Sequence, residues 1–359
     1  MAKRVRRINR RTFLRHGLTS MTLGAASLML PTAQGEDKVS ALQTARAVGG
    51  GEPSLARSPQ LETFLDRISG APINPGDRNQ LIIRRIVSDL FRTIEDFDVQ
   101  PDEFWAAVDF LTAAGQAREF GLVSPGLGFD HYLDLRMDAA DREVGVTDGT
   151  PRTIEGPLYV TGAPVSQHEA RLDDGQDAGE TLLMHGRVLD LNGKPVAGAV
   201  VDVWHADSKG NYSFFDPIQS PFNLRRRIET GDEGGYRFRS IVPSGYACSP
   251  NGPTEKLMAL LGRHCRRPAH IHFIISAAGY RPLTTQINLP DDPLLYDDFA
   301  FATREGLIPE MVRHKDPAML RRHGLDAPYA EIQFDFVLQK PVAGAPSTLP
   351  RRDRKTATP

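Results

Sequence analysis

The hydrophobic pattern of this chain changes period once, near residue 180. Before that point apolar residues recur at helical spacing. In "DRNQLIIRRIVSDLFRTIEDF", Ile83, Val87 and Leu90 fall on one helical face, joined by Ile82 and Ile86. The segment "PDEFWAAVDFLTAAGQ" opens with Pro101 and two acids, a favourable helix start, and places Phe104, Val108 and Leu111 on the face expected to turn inward. With "LETFLDRISG" these segments predict a helical domain over 59–140. Beyond it the chain breaks into short β-branched runs: "TLLMHGRVLD", "AGAVVDVWHA", "GGYRFRSIVP", "AHIHFIIS", "LTTQINL" and "AEIQFDFVLQ". Asn-Gly and Gly-Gly turn signals separate them, and strands at this spacing predict an antiparallel β-sandwich, here over 141–342. One short helix, "TEKLMALLG", interrupts it. The expected class is mainly β with an N-terminal helical domain. Residues 36–58 read as a polar, Gly-interrupted linker, and 343–359 as a disordered tail.

Charge changes the picture only at the N-terminus. The 359 residues carry 43 Lys and Arg against 45 Asp and Glu, a net of -2, but residues 1–35 hold seven basic residues and no acid. The rest is therefore acidic, which argues against a nucleic-acid partner. In "NRRTFLRHGLTSMTLGAASLMLPTAQG", Arg10 and Arg11 precede Phe13 and Leu14, a moderately apolar stretch and small residues ending at Gly35. This is the pattern of a twin-arginine signal peptide over 1–35. It implies the twin-arginine export machinery as a partner, a periplasmic or secreted location, and export of a folded chain with its cofactor in place. A disordered basic tail is the other reading; the apolar stretch is too short to span a bilayer. Cys248 and Cys265 are too few for a disulfide scaffold. Two separate buried thiols are expected, with a single bridge after export as the alternative.

The candidate chemistry lies in "RRPAHIHFIIS". On a strand, residues i and i+2 share a face, so His270 and His272 point the same way and can close on one metal ion. His-x-His alone also fits two hydrogen-bonded histidines. The common zinc spacings are missing. Tyr159, in "TIEGPLYVTGAP", and Tyr212, in "VDVWHADSKGNYSFFDP", stand in Gly/Pro-rich or turn segments, where a tyrosine is ordinarily a packing residue.

Those three stretches and "LTTQINLPDDPLLYDDFAFATREGL" resemble, taken in chain order, the intradiol ring-cleaving dioxygenases of the catechol 1,2-dioxygenase and hydroxyquinol 1,2-dioxygenase group. The likeness runs from Ile82 to about Leu338. It implies non-haem Fe(III) bound by Tyr159, Tyr212, His270 and His272, with Arg267 and Gln286 beside the metal. It also implies that Tyr212 leaves the metal as catechol binds and takes a substrate proton. The implied reaction is cleavage of catechol by O2 to cis,cis-muconate, with hydroxyquinol or a substituted catechol as the alternative substrate. A non-catalytic β-sandwich binding module is the alternative of a different class. A homodimer formed through the helical domain, with bound phospholipid, is implied as well. Trp204 and His205 read as structural, the acids of "DDPLLYDDF" as turn and cap residues, and Arg225, Arg226 and Arg227 as a solvated or internally paired run.

Overall fold

The computed structural model describes residues 59–68 and 76–345, and the backbone of Lys355–Thr356. The expected signal peptide, the linker and most of the tail lie outside the described residues. The chain divides into two compact units, Met1–Glu103 and Phe104–Pro359.

The first unit contains α1 (Pro59–Ile68) and α2 (Arg78–Asp96). Asp77 starts α2, its carboxylate accepting from the amides of Asn79 (3.0 Å) and Gln80 (3.3 Å), which satisfies two of the free donors at a helix N-terminus. Leu61 and Leu65, one turn apart on α1, are buried against Val87 and Phe91 of α2. Arg84 adds ion pairs to Glu62 and Asp66. This seam uses only one side of α2. Leu81, Ile82, Ile83, Ile86 and Leu90 stay exposed.

Helix α3 (Pro101–Gln116) crosses the division, and α4 (Phe120–Gly126) and α5 (Phe129–Glu143) complete the helices before the sandwich. The expectation that Phe104 and Leu111 turn inward does not hold, since they are 45% and 51% exposed. Spacing identifies an apolar face but not what covers it. Helix α5 is pinned to the sandwich near its C-terminus, where Asp141 accepts from Arg281 (2.9 Å) and pairs with Arg152.

Eleven longer strands build two sheets. In chain order they are β1 (Val165–Gln167), β2 (Glu169–Arg171), β3 (Thr181–Asp190), β4 (Val200–His205), β5 (Arg225–Glu229) and β6 (Gly235–Ile241). There follow β7 (His270–Ser276), β8 (Leu283–Asn288), β9 (Val312–His314), β10 (Tyr329–Gln333) and β11 (Phe336–Leu338). One sheet runs β8-β7-β4-β5-β1 and the other β9-β10-β3-β6-β2, with β11 also on β3. The expected sandwich is present. The ladders β8-β7-β4-β5, β3-β6 and β9-β10 are antiparallel, whereas β1 joins β5, β2 joins β6, and β10 and β11 join β3 in parallel. Both β10 and β11 lie along β3, and the chain kinks between them beside Gly186, where a Cβ would overlap the Phe334 carbonyl. Only glycine permits that approach.

Alternation sets the core. Val201 and Val203 of β4, Ile271, Phe273 and Ile275 of β7 and Ile287 of β8 face Leu182, Met184, Phe238 and Ile332 of the other sheet. His205 is buried, bonded to the Ala206 carbonyl (2.7 Å) and to Ser240 Oγ (2.7 Å), and burial lowers its pKa to about 4. It is structural, as the sequence suggested. The expectation of two separate thiols is corrected: Cys248 and Cys265 form a disulfide with a Cα–Cα distance of 5.6 Å. They extend the two-residue antiparallel ladder of Tyr246–Ala247 on Arg266–Arg267, the Cys248 amide donating to the Cys265 carbonyl (2.9 Å). The enclosed α6 (Pro253–Leu260) separates them in sequence, so the register that pairs them is invisible there. A loop of this size adds about 3 kcal/mol in the chain-entropy account. Among the described residues no helix is long and apolar enough to cross a membrane.

Candidate active site

Because β4, β7 and β8 bury one face in the core, their other residues share the opposite face. The register places Trp204 beside His272, His272 beside Gln286, and His270 beside Asn288. Asp202 and Thr284 lie one step further along, flanking Ile274. All eight of these residues are buried. A second polar layer under cover is costly unless its groups are paired, and here the pairing is incomplete. Trp204 Nε1, His272 Nδ1, Thr284 Oγ1, Asn288 Nδ2 and Tyr212 Oη are buried without a well-formed hydrogen bond, as is Nη1 of Arg225 on the neighbouring strand. Native structures leave few such groups, and a cluster of them marks a binding site.

The two histidines converge. His270 Nε2 and His272 Nε2 are 3.0 Å apart, with the rings nearly perpendicular. The Nδ1 of His270 lies 2.6 Å from the Pro268 carbonyl, which fixes its proton there and leaves the Nε2 lone pair facing His272. Burial, reinforced by Arg267, lowers the His270 pKa to about 3; burial and the neighbouring cationic groups push His272 well below the usual histidine value. Both are neutral imidazoles, the form in which histidine binds metals. Among the described residues no group of three His, Cys, Asp or Glu side chains forms a metal site. A metal on this pair therefore needs other donors.

Tyrosines are the donors within the same cluster. Tyr212 is carried by the loop after β4 and is buried; its ring meets Tyr246, whose ring in turn meets His270, both at 5.5 Å between centroids. Burial, reinforced by the neighbouring Tyr246, raises the Tyr212 pKa well above its ordinary value and outweighs the opposing pull of Arg267 and Arg225. Its loop holds Phe214, Phe222 and Leu224 at left-handed φ of 69°, 59° and 59°, strain typical of a functional segment. Tyr159 packs on Trp204 (4.7 Å), which stacks on His272 (4.8 Å), and its hydroxyl donates to Asp202 at 2.6 Å. The structure thus draws Tyr159, Tyr212, His270 and His272 into one buried cluster, with Tyr159 engaged by a carboxylate.

Arg267 and Gln286 join the same cluster. The Arg267 guanidinium reaches His270 Nε2 (2.9 Å), Gln286 Oε1 (2.8 Å) and both carboxylate oxygens of Asp298 (3.1 and 3.0 Å). Burial opposes its charge, but Asp298 outweighs burial and raises the pKa. Asp298 itself also accepts from the amides of Ala300 (3.0 Å) and Ala302 (3.3 Å). It is both the turn residue expected and the counter-ion of Arg267, a role that sequence reading missed because only the fold brings residue 298 to residue 267. Arg225 was missed as well. It is fully buried, bonded to Ser213 (2.8 Å), with its guanidinium 5.7 Å from the Tyr212 ring. It lies opposite Trp204 on β5, a register that only the fold reveals.

Comparison with known proteins places this arrangement in context. Residues 154–340 match the family described as "Dioxygenase", and 76–145 the one described as "Catechol dioxygenase N terminus". Catechol 1,2-dioxygenase 2 of Acinetobacter lwoffii is 60% identical over 250 residues, covering 69% of this chain and 91% of its own length. Catechol 1,2-dioxygenase of Acinetobacter baylyi is 50% identical over 307 residues, covering 84% and 99%. A solved structure of catechol 1,2-dioxygenase from Acinetobacter sp. ADP1, inhibited by bound mercury, superposes with a TM-score of 0.82 at 49% identity, covering 85% of this chain and all of that one.

The Arg267–Asp298 pair is fully buried, and removing one partner leaves an uncompensated charge. Asp298→Asn should therefore cost about 3 kcal/mol in urea unfolding. An unchanged midpoint would show that the pair does not anchor this site.

Proposed function

The chain belongs to the intradiol catechol dioxygenase family, and we propose on that premise that it works with non-haem Fe(III) held by Tyr159, Tyr212, His270 and His272, outside the cytoplasm and as a homodimer. Its activity is that of an intradiol dioxygenase, an oxidoreductase that opens catechol between its hydroxylated carbons. Catechol and O2 give cis,cis-muconate, both oxygen atoms ending in the product, with no external reductant.

The observation that carries the iron assignment is the meeting of two neutral imidazole Nε2 atoms at 3.0 Å within a cluster of buried, unpaired polar atoms. Two imidazoles and two phenolates make a hard, anionic donor set that suits Fe(III). The residues fit the ion, on the condition that Tyr159 gives up the proton that Asp202 now accepts. Bound there, Fe(III) would keep phenolates ionised near neutral pH and supply the electron-withdrawing centre that makes the diol reactive toward O2.

The chain's own residues do the rest. Tyr212 Oη, lacking a well-formed hydrogen bond, is the atom we assign to receive a proton from one catechol hydroxyl. Arg267, fixed by Asp298 and Gln286, holds a permanent positive charge beside the imidazoles, where it stabilises negative charge developing on the organic fragment. Trp204 and Ile274 supply an apolar wall that keeps water from the reacting diol.

Export rests on the Arg10-Arg11 pattern, and the buried disulfide supports it because such bridges persist in oxidising compartments. Dimerisation rests on apolar surface larger than isolated exposed residues require. The face of α2 carrying Ile82, Ile83, Ile86 and Leu90 is one such surface; Phe129, Tyr132, Leu133 and Leu135 of α5 form another. Both are of the kind that a second copy or phospholipid chains would cover.

Three outcomes are expected. Iron-loaded protein should turn catechol over to cis,cis-muconate, identified by mass and ultraviolet spectrum, and Tyr212→Phe should lose at least about a hundredfold in kcat, within the usual contribution of a positioned proton acceptor; parental turnover would remove the proton role. Replacing Arg10 and Arg11 with Lys should trap the iron-loaded enzyme in the cytoplasm, and unchanged periplasmic activity on fractionation would contradict export. Light scattering at about micromolar concentration should give the mass of two chains, and a persistent single-chain mass would refute the dimer.

A further inference from the structure

The Cys248–Cys265 bridge lies in a specific place relative to the site. It continues the ladder in which Tyr246 pairs with Arg267 and Ala247 with Arg266. Tyr246 touches both Tyr212 and His270, and Arg267 touches His270 and Gln286. The two residues of this ladder that face the chemistry thus each sit two positions from a half-cystine. A two-pair ladder is too short to hold itself. Arg267 has further anchors in Asp298, and the Arg266 carbonyl accepts from the Phe299 amide (3.1 Å). The Tyr246 strand leads from the close-packed turn at Gly245 directly into Cys248. On its far side the bridge closes over α6, whose Met258 packs with Ile154, Phe299 and Ala300 around both half-cystines.

We propose that this cystine is a positioning element of the active site: it holds Tyr246 and Arg267 against Tyr212 and His270, and full turnover requires it to be closed. The inference rests on the reaction proposed above. Closing the bridge removes two electrons and two protons from the thiols, which a thiol oxidase or disulfide-exchange partner of an oxidising compartment accepts. Opening it needs a dithiol reductant that returns them. Full activity is then a property of the exported, oxidised chain, and the same chain kept reduced is slow. Both half-cystine residues are only 5% exposed, so once closed the bridge is shielded from small reductants.

The test compares iron-loaded full chain in three forms: oxidised wild type, wild type made and kept reduced, and Cys248→Ala with Cys265→Ala. The alanine pair keeps the pocket apolar, and the reduced wild type covers the case in which that variant does not fold. Free thiols, iron per chain, Tm, anaerobic catechol Kd, kcat and amide exchange over residues 246–248 and 265–267 are measured. We expect both bridge-free forms to retain iron and to bind catechol within about twofold, but to lose about tenfold in kcat, as misplacement of a catalytic group does. Amides of the ladder should exchange at least about tenfold faster while those of β4 and β7 do not change. Reoxidation of the reduced protein should restore both. A bridge that matters only for stability would shift Tm alone, and unchanged kcat or unchanged ladder exchange in the bridge-free forms would overturn the proposal. So would free thiols in the oxidised protein. If the oxidised enzyme itself leaves catechol untouched, the reaction is refuted, and amide exchange still reads the ladder independently of substrate.

Discussion

Two neutral imidazoles that meet nitrogen to nitrogen inside the protein set the terms for everything around them. One hydrogen bond can satisfy a pair of Nε2 atoms, but the Pro268 carbonyl commits the His270 proton to Nδ1, and Arg267 offers a further donor to the same Nε2. His272 Nδ1 and Tyr212 Oη are left without a well-formed hydrogen bond. The arrangement is expensive for a protein core and economical for a cation site, because a cation uses both lone pairs at once and stabilises the phenolates that burial alone would keep protonated.

The sandwich makes that arrangement possible. A strand with one face in the core must present its alternate residues on the other, so β7 delivers His270 and His272 together while Ile271 and Phe273 anchor it. Strand β8 adds Gln286 in register, and β4 adds Trp204. Loops then cover this face and turn a polar sheet surface into an enclosed site. The strain at Phe214, Phe222 and Leu224 is local to the loop that brings Tyr212 over it. Asp298 arrives from a turn far along the chain to neutralise Arg267.

Periodicity was enough to read the architecture in the sequence, since period-2 alternation and turn residues mark strands wherever they pair. It did not reveal the parallel edge pairs, because alternation is the same for either direction of a neighbour. The helices were legible as amphipathic, yet Phe104 and Leu111 face outward, since an apolar stripe records only that something must cover it. In the site, the shared face of His270 and His272 follows from strand geometry alone, whereas Tyr159 and Tyr212 were identifiable only through resemblance to a family, no spacing rule linking a tyrosine in a loop segment to a strand so far along the chain. Arg225 looked like part of a charged run, and its burial depends on the face that β5 shares with Trp204. The disulfide depends on a two-residue register that the intervening helix conceals.

The account stands or falls on whether those four side chains form one metal site. Anomalous diffraction at the iron edge, from crystals of the iron-loaded chain, tests it most directly. The prediction is a single iron peak within bonding distance of Nε2 of His270 and His272 and of Oη of Tyr159 and Tyr212, with the Tyr159–Asp202 hydrogen bond broken. A peak elsewhere, or a site in which the two imidazoles still face each other and Tyr159 remains on Asp202, would contradict it.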